Sequence, residues 1–473
     1  MTFNKDDFVT LTIDDCGTSG EGIGKVDGYT LFVKDAIIGD VIKAKIIKAK
    51  KNYGYGRLIE IIKPSKDRVK PECPVSRQCG GCQILEMSYE AQLKYKYNLV
   101  KGNVERIGGI SDYELLPVLG MEKPYRYRNK AQYPVGMDKN GNIITGFYAG
   151  RTHSIIECND CLIGSEKNSA ILETIKNWMK KCNIEPYNEK TGSGLVRHIL
   201  VRVGYHTDEC MVCVVVNSDD IDKKAGEILV DMLVKLRSRN INIQSVVANT
   251  NKENTNVILG KKCKTLYGRG YIEDYIGNIK YQISPLSFFQ VNPAQTEVLY
   301  GKALEFAGLT GSETVWDMYC GIGTISLFLA RKARKVYGVE IVPQAIEDAR
   351  NNAKINGIEN AEFFVGKAEE VVPAFYDEMK MKAAAGDEDA ERSIHPDVVV
   401  VDPPRKGCDQ ILLSTIADMQ PLRIVYVSCD SATLARDLAI LEEEGYKTVK
   451  VQPVDQFAHT VHVETVCLLS RKD

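Results

Sequence analysis

The chain has 473 residues, of which 44% are hydrophobic and 26% charged, and its 61 Lys and Arg nearly balance its 63 Asp and Glu. These values are typical of a globular protein and exclude a disordered or fibrous chain, and the length predicts two to four domains. No apolar stretch reaches the length of a membrane span and the first residues lack the apolar core of a signal peptide, so we expect a cytoplasmic protein whose 14 cysteines stay reduced.

The net charge of -2 conceals an uneven distribution along the chain. Residues 41–151 hold 21 Lys and Arg against 10 Asp and Glu, so the remainder is acidic. A basic block on a near-neutral protein indicates a surface for a polyanion such as RNA. The alternative is a solvated lysine-rich face without a partner.

Residues 1–62 predict a small β-barrel. Apolar and polar side chains alternate over residues 8–13, glycines mark a turn over 20–24, and residues 29–33 and 41–47 are strand-like. The pattern resembles the TRAM module, an OB-like barrel that binds RNA. The later part of the barrel is rich in lysines, which would contact an RNA backbone or else solvate an edge strand: Lys43, Lys45, Lys48, Lys50 and Lys51.

A proline-rich linker leads into a cysteine motif that contains Cys73, Cys79 and Cys82, with two glycines before the third cysteine. Three closely spaced cysteines and a distant fourth suit four-thiolate ligation, and the glycines let the backbone wrap a compact inorganic core. Cys158 and Cys161 are the candidates for the distant ligand. Spacing alone does not choose between an iron–sulfur cluster and zinc.

The middle of the chain predicts a mixed α+β region over residues 112–275, preceded by an amphipathic helix over residues 88–107. Residues 125–133 interleave three cations with three tyrosines. This alternation fits phosphate contact with base stacking, and it equally fits a strand with one wet face and one packed face.

From residue 315 the chain alternates strands and helices, as a doubly wound parallel sheet does. A strand over residues 315–317 runs into the glycine loop M-Y-C-G-I-G-T at 318–324, and the next strand ends at Glu340. Glycines let a ligand approach the backbone, and an acid about 20 residues further on suits ribose hydroxyls. The loop lacks a phosphate-gripping G-K-[ST], which favours S-adenosylmethionine over NAD or ATP; a tight turn without a ligand is the alternative.

Three motifs follow apolar strands near the C-terminus. D-P-P-R-K-G begins at Asp402 after a strand over residues 398–401, and Cys429 follows a strand over residues 425–427. A third motif, F-A-H-T-V-H-V-E, ends at Glu464. Because Cys429 precedes a predicted helix, we expect the helix dipole to favour its thiolate, although an isolated cysteine is more often inert and buried.

These motifs, with S-F-F-Q-V-N-P at residues 287–293, resemble those of the RNA uracil-5-methyltransferase family: S-F-x-Q-x-N, D-P-P-R-x-G, Y-x-S-C-[ND] and F-P-x-T-x-H-x-E. The match covers nearly the whole chain and departs at Ala458, where the family usually has proline. The resemblance implies an α/β protein with three domains: a TRAM-like barrel over residues 1–62, a central RNA-binding domain over 63–274 and a Rossmann-like methyltransferase domain over 275–473.

The resemblance also implies roles for individual residues. Cys429 would add to uracil C6 as the nucleophile, and Glu464 would remove the C5 proton, with a pKa raised by partial desolvation. Phe288 would help to position the target base. The implied S-adenosylmethionine contacts are Gln290, Tyr319, Glu340 and Asp402, and the implied ligands of a [4Fe-4S] cluster are Cys73, Cys79, Cys82 and Cys161.

The implied substrate is RNA, with large-subunit 23S ribosomal RNA first because tRNA-specific bacterial members typically lack the barrel and the cysteine site. The protein is expected to act as a monomer without a membrane partner, and transfer RNA is the alternative substrate. Amino methylation of adenine or cytosine is disfavoured because Arg405, not an aromatic residue, follows the two prolines. A non-catalytic iron–sulfur RNA-binding factor would need neither Cys429 nor Glu464. Residues 376–395 predict an exposed insertion.

Overall fold

The computed structural model describes residues 3–150, 152–387, 390 and 395–472. The N-terminal part closes into a five-stranded barrel in the order β1-β2-β3-β5-β4. Its strands are β1 (Phe8–Cys16), β2 (Gly22–Val26), β3 (Tyr29–Lys34), β4 (Val41–Ala49) and β5 (Tyr53–Lys63). Leu31, Val33, Ile42 and Ile46 fill its interior and are fully buried. The predicted OB-like barrel is confirmed.

The middle of the chain builds a second sheet. After the barrel come helix α1 (Tyr89–Arg106) and the short strand β6 (Glu114–Leu115). Seven strands then pair in the order β13-β12-β11-β10-β7-β8-β9. They are β7 (Lys130–Met137), β8 (Ile143–Tyr148), β9 (Ile155–Glu157), β10 (Val196–Val203), β11 (Glu209–Val216), β12 (Asn242–Thr250) and β13 (Lys262–Gly268). Helices α2 (Lys167–Lys181) and α3 (Lys223–Val234), with a 3-10 helix at Lys235–Arg239, pack against this sheet.

A hairpin and a helix connect the second sheet to the third. The hairpin pairs β14 (Ile272–Ile276) with β15 (Ile279–Ile283), and helix α4 (Pro293–Ala307) follows. Asn292 caps α4 by accepting a hydrogen bond from the backbone N–H of Gln295, and proline occupies the first turn, as the sequence predicted.

The third sheet has eight strands in the order β18-β17-β16-β19-β20-β22-β21-β6. Its further strands are β16 (Thr314–Met318), β17 (Lys335–Glu340), β18 (Ala361–Val365), β19 (Val398–Val401), β20 (Arg423–Ser428), β21 (Tyr446–Val454) and β22 (Glu464–Arg471). Strands β16 to β20 are parallel, and β22 is antiparallel to β20. The predicted doubly wound sheet is therefore confirmed, with its switch point between β16 and β19, where such sheets bind ligands.

Helices cover both faces of the third sheet. They are α4 and, in chain order, α5 (Thr324–Ala330), α6 (Pro343–Ile355), α7 (Ala368–Ala384), α8 (Gln410–Met419) and α9 (Ser431–Glu443). Helix α7 enters the insertion predicted over residues 376–395, of which residues 388–389 and 391–394 lie outside the described residues. In the described ranges no helix combines the length and apolar character needed to cross a bilayer.

Helix α1 packs on the third sheet and strand β6 is its edge strand, although both lie in the stretch expected to form the central domain. Leu115 of β6 pairs with Val451 of β21, and Val100 and Val104 of α1 are fully buried in the core beside that sheet. The division of the chain at residues 62 and 274 stays a prediction. The packing of α1 shows that the middle stretch contributes structure to the third sheet.

Candidate active site and cysteine cavity

A cavity of about 860 Å³ lies at the carboxyl ends of β16, β17 and β19. This is the switch point of the sheet. Every side chain predicted to bind the cofactor or to act on the base lies on its wall: Gln290, Tyr319, Glu340, Asp402, Cys429 and Glu464. The fold thus brings together residues that are spread over much of the chain, while their individual roles stay predictions.

The glycine loop between β16 and α5 turns tightly beside this cavity. Tyr319, Gly321 and Gly323 have positive φ angles of 90°, 55° and 82°. A positive φ is strained for tyrosine, so the surroundings must hold the loop in place. The backbone N–H groups of Tyr319 and Cys320 both donate to the carbonyl of Val339 at 3.0 Å. The turn leaves its backbone accessible to a ligand.

Two acids flank the glycine loop. Asp317 is fully buried, and its Oδ2 accepts a hydrogen bond from Ser326 Oγ at 2.5 Å, while its Oδ1 has no partner in the part of the chain that is described. Burial raises the pKa of Asp317 to about 7. Glu340 ends β17 and lines the same cavity. An orphaned carboxyl oxygen and an acid at the next strand end fit the polar groups of a nucleoside cofactor.

The D-P-P-R-K-G loop is anchored from helix α9. Asp437 is fully buried and accepts hydrogen bonds from the backbone N–H of Cys408 at 2.8 Å and from Tyr426 Oη at 2.6 Å. Gly407 has a φ of +76°, and a Cβ added there would lie 2.6 Å from Asp437 Oδ2. Only glycine fits this close approach without strain. The anchoring fixes the loop that carries Asp402.

Cys429 is half-buried on the cavity wall between β20 and α9. The prediction that the helix dipole favours its thiolate is wrong. Burial, reinforced by the carboxyls of Glu464 and Asp402, raises the pKa of Cys429 to about 11, and Arg405 opposes this rise. The side chain of Asp430 caps the helix and accepts two of its first backbone N–H groups. The protonated thiol form of Cys429 therefore predominates at neutral pH when no substrate is bound.

Glu464 begins β22 and is 4% exposed. Burial, with a smaller contribution from Asp402, raises the pKa of Glu464 to about 8, while Arg405 lowers it. The direction predicted for this group is confirmed. Burial and the carboxyl of Asp317 raise the pKa of Asp402 to about 7. Both carboxyls at the site therefore exchange protons within reach of neutral pH.

The S-F-F-Q-V-N-P segment closes one side of the cavity. Asn129, just before the central sheet, donates through Nδ2 to the carbonyl of Gln290 at 3.0 Å. Phe289 packs in the core, whereas Phe288 is 67% exposed and lines the cavity. An exposed aromatic side chain at the mouth of the cavity suits stacking on a base.

Among the cavity-lining side chains to which the sequence alone assigned no role, three lie in the motifs near the C-terminus: Arg405, Phe457 and His462. Arg405 Nη2 lies 3.5 Å from His462 Nε2. All three stand inside the motifs that carry Asp402 and Glu464. The sequence feature that could have identified them is their position in the same motifs as these two acids.

A second cavity, of about 310 Å³, lies beside the central sheet. Five cysteines line it: Cys73, Cys79, Cys82, Cys158 and Cys161. Arg128 and Lys130 also line it and place positive charge near the thiols. Over the described ranges, no group of three or more His, Cys, Asp or Glu side chains is arranged to hold a metal ion. The four predicted ligands share one cavity, and the iron–sulfur cluster stays a prediction.

The strand-like segment that interleaves cations with tyrosines is packed rather than open to bases. Tyr127 is buried, and Arg126 forms an ion pair with Asp160 at 2.5 Å. Tyr125 stacks on His459 with 4.4 Å between ring centroids. Of the two interpretations given above, the structure favours packing.

The barrel presents cations next to exposed apolar side chains. Phe8 is 57% exposed, and the ammonium groups of Lys43 and Lys45 lie 5.6 Å and 5.7 Å from its ring centroid. Lys45 also pairs with Asp6 at 2.8 Å. A surface of this composition suits a nucleic-acid backbone.

Two family models match the chain. The model described as tRNA (Uracil-5-)-methyltransferase matches residues 88–472, which include every residue proposed above for the active-site cavity. The TRAM domain model matches residues 7–59, which form most of the barrel.

Relatives match over almost their whole length. An uncharacterized RNA methyltransferase of Halalkalibacterium halodurans is 49% identical over 470 residues, 99% of this chain and 98% of the relative. An uncharacterized RNA methyltransferase of Clostridium tetani is 50% identical over 466 residues, which are 98% of this chain and 97% of that relative. The solved structure of Pyrococcus abyssi tRNA (uracil-54, C5)-methyltransferase with S-adenosyl-L-homocysteine is 26% identical, with a TM-score of 0.75 over 98% of this chain and 100% of that chain.

Proposed function

The chain belongs to the tRNA (uracil-5-)-methyltransferase family and is an RNA methyltransferase, and from this premise we propose that it methylates C5 of uridine in RNA through a covalent adduct with Cys429. One observation carries the proposal: Cys429 and the buried carboxyl Glu464 share a cavity wall with the glycine loop. A binding protein would need neither group. A methyltransferase acting on an amino group would not need the thiol.

Cys429 supplies the activation that uracil needs, because C5 of uracil is a poor nucleophile. When the sulfur bonds to C6, the electron pair of the C5–C6 double bond moves towards the C4 carbonyl as an enolate, and C5 gains carbanion character. The S–H bond breaks before the sulfur attacks, and its proton passes to solvent water, which reaches the half-buried Cys429 through the cavity. The positive charge of Arg405 on the same wall favours the thiolate.

Glu464 completes the reaction once C5 carries a methyl group. In its ionised form the carboxyl accepts the C5 proton, the electron pair restores the C5–C6 double bond, and the bond between C6 and Cys429 breaks. A pKa of about 8 keeps part of the Glu464 population ionised near neutral pH and makes the ionised form a stronger base than an ordinary glutamate. Burial thus tunes this carboxyl to its task.

The residues around the glycine loop fit S-adenosylmethionine, and the S-adenosyl-L-homocysteine in the Pyrococcus abyssi structure also supports this methyl donor. When bound, it supplies an electrophilic methyl group on a positively charged sulfur. Glu340 would hold the ribose, and Asp317 offers its Oδ1, which accepts no hydrogen bond from the described residues. Gln290, Tyr319 and Asp402 complete the proposed contacts.

The cysteine cavity is proposed to hold a [4Fe-4S] cluster through Cys73, Cys79, Cys82 and Cys161. A zinc ion needs all its sulfur ligands about 2.3 Å from one point. The cysteines instead surround a cavity, which suits a larger inorganic core whose four irons each take one thiolate. The cluster would tie the linker to the central sheet.

The RNA substrate is proposed to be large-subunit ribosomal RNA, in keeping with the barrel and the cysteine site. Transfer RNA is the second candidate, because the Pyrococcus abyssi enzyme that matches 98% of the chain is named for uracil 54 of tRNA. In either substrate the uridine must leave its stack to reach Cys429. The barrel cations would hold the surrounding RNA.

The proposal is tested by incubating the purified protein with S-adenosylmethionine and unmodified 23S rRNA or tRNA transcripts. Nucleosides are then quantified by mass spectrometry after digestion. We expect 5-methyluridine in the rRNA arm and none with Cys429→Ala. Product in the tRNA arm alone would support the second candidate, and absence of 5-methyluridine from both arms would contradict the proposal.

A further inference from the structure

The loop that leads to Glu464 is held from outside the methyltransferase sheet. We call residues 455–463, between β21 and β22, the base loop. Val454 and Glu464 pair with each other at the ends of the two strands, so the base loop begins and ends at this pair. Phe457 and His462 of this loop line the active-site cavity. The base loop therefore runs directly into Glu464 and contributes two other side chains to the cavity that Glu464 lines.

Lys96 of helix α1 anchors the start of the base loop. Its ammonium group is fully buried, and it donates to Asp455 Oδ1 at 2.5 Å and to the carbonyl of Phe457 at 2.9 Å. Tyr89 of the same helix donates through Oη to Asp455 Oδ2 at 2.7 Å. Asp455 follows directly on Val454, the residue that pairs with Glu464.

Gln92, one turn earlier on α1, anchors the middle of the base loop. Its Oε1 accepts a hydrogen bond from the backbone N–H of His459 at 2.8 Å, and its Nε2 lies 3.1 Å from His459 Nδ1. His459 has a φ of +67°, a backbone conformation that non-glycine residues keep only when their surroundings impose it. Tyr127 adds a hydrogen bond from Oη to the carbonyl of Ala458 at 3.1 Å.

A gain in folding stability does not by itself explain why the Lys96–Asp455 ion pair is fully buried. Taking two charges out of water costs roughly what their attraction returns, and apolar replacements are often as stable. Buried pairs are better attested as devices that fix one arrangement of the chain. Here the arrangement they fix is the loop that carries two cavity residues and ends at Glu464.

We infer that Gln92 and Lys96 are positioning residues for Glu464: helix α1 clamps the base loop so that the carboxyl meets the C5 proton. The inference rests on the proposed role of Glu464 as base. Neither residue is among those that line the active-site cavity. A loosened clamp should therefore slow the step that needs Glu464, proton removal with release of Cys429, and leave the earlier addition intact.

The test is the Lys96→Met variant with unmodified RNA and S-adenosylmethionine. We expect turnover to fall about tenfold or more, as for other small displacements of a catalytic group. KM for S-adenosylmethionine should stay within about twofold, since its proposed contacts are untouched. A methylated protein–RNA adduct that survives denaturation should accumulate. A purely structural role would lower all steps together, without such an adduct.

Two further variants guard against misfolding, because Lys96→Met leaves Asp455 buried and unpaired. The pair Lys96→Met with Asp455→Asn removes both charges at nearly constant volume, and Gln92→Leu loosens the second anchor alone. Both should accumulate the adduct. Lys94→Met on the same helix is the matched control, since Lys94 is exposed, and it should show no adduct.

Glu464→Gln, assayed beside these variants, separates the two claims. If it accumulates the adduct while folded Lys96→Met and Gln92→Leu turn over like the wild type, the positioning inference fails and the proposed base stands. If Glu464→Gln keeps wild-type turnover, the proposed base fails and the inference falls with it.

Discussion

The Arg405 guanidinium and the Glu464 carboxyl line the same active-site cavity, and the positive charge of the guanidinium opposes the rise in the pKa of Glu464. Arg405 opposes the rise in the pKa of Cys429 as well. One cation therefore moves the proposed nucleophile and the proposed base in the same direction. It brings both closer to their reactive, ionised forms.

Replacing Arg405 by glutamine should shift the pH dependence of methylation. The base acts when ionised, so the rate should rise with pH through the pKa of Glu464, which is about 8 in the wild type. Without the cation both pKa values rise, and the rising limb moves to higher pH. At pH 7 we expect a lower rate, by about tenfold for a shift of one pKa unit, and a partial recovery at pH 9. Arg405→Lys keeps the charge and should keep the wild-type profile; equal profiles for glutamine and lysine would contradict this account.

Glu464 should lower the stability of the protein at alkaline pH. Its folded-state pKa of about 8 lies above its ordinary value of 4.5, so between these values the folded state binds the proton more tightly than the unfolded chain. The stabilising contribution is full below pH 4.5 and is lost as the pH rises through 8. Glu464→Gln has no proton to lose, so its free energy of unfolding relative to wild type should increase from pH 6 to pH 9. The increase accrues over the two pH units below the folded pKa of about 8 and should reach about 3 kcal/mol, at roughly 1.4 kcal/mol per unit.

Urea unfolding of the two proteins at pH 6 and pH 9 measures this difference. The wild type should lose stability relative to the variant as the pH rises. A difference that does not change with pH would show that the carboxyl is solvated in the folded protein.

The cysteine cavity makes a prediction about composition. After anaerobic purification the protein should contain roughly four iron atoms and matching acid-labile sulfide per chain. Cys161→Ser should lose most of both, whereas the matched Cys158→Ser variant should keep them although its thiol lines the same cavity. One zinc per chain without iron would contradict the iron–sulfur cluster. Loss of iron from Cys158→Ser alone would show that Cys158, not Cys161, is the fourth ligand.

Gly407→Ala should weaken both the fold and the activity. The added Cβ meets Arg436 Nη2 and Asp437 Oδ2 at 2.6 Å, and the φ of +76° is strained for alanine. We expect a loss of about 1–3 kcal/mol in the free energy of unfolding and slower methylation, because the loop carries Asp402. Gly102→Ala in helix α1 is the control: its Cβ meets nothing within 4 Å, so the variant should be at least as stable as the wild type.

Local signals in the sequence located the strands and the residues at their ends. The run of valines over Val398–Val401 forms β19 as predicted, and Asn292 caps α4. Short apolar runs bounded by turns are dictated by neighbours in the chain. When such strands are parallel, the residues that follow them all lie at the same edge of the sheet. The proposed site residues come together for this reason.

The pKa shift of Cys429 and the long-range contacts could not be predicted from the sequence. The pKa of Cys429 depends on the carboxyls of Glu464 and Asp402, which lie on separate segments of the chain. The first backbone N–H groups of α9 donate to the side chain of Asp430 rather than towards the thiol. Likewise, the partner of Lys96 lies 359 positions away, at Asp455. No periodicity or local motif encodes such pairs.

The most direct test of the central claim uses RNA in which 5-fluorouridine replaces uridine. Fluorine at C5 cannot leave as a proton, so Glu464 cannot release the adduct and Cys429 should stay bonded to C6. With S-adenosylmethionine present, we predict a protein–RNA species that survives denaturing electrophoresis and maps by mass spectrometry to Cys429. It should be absent from a folded Cys429→Ala variant; an equal adduct in that variant, or none in an active wild type, would contradict the account.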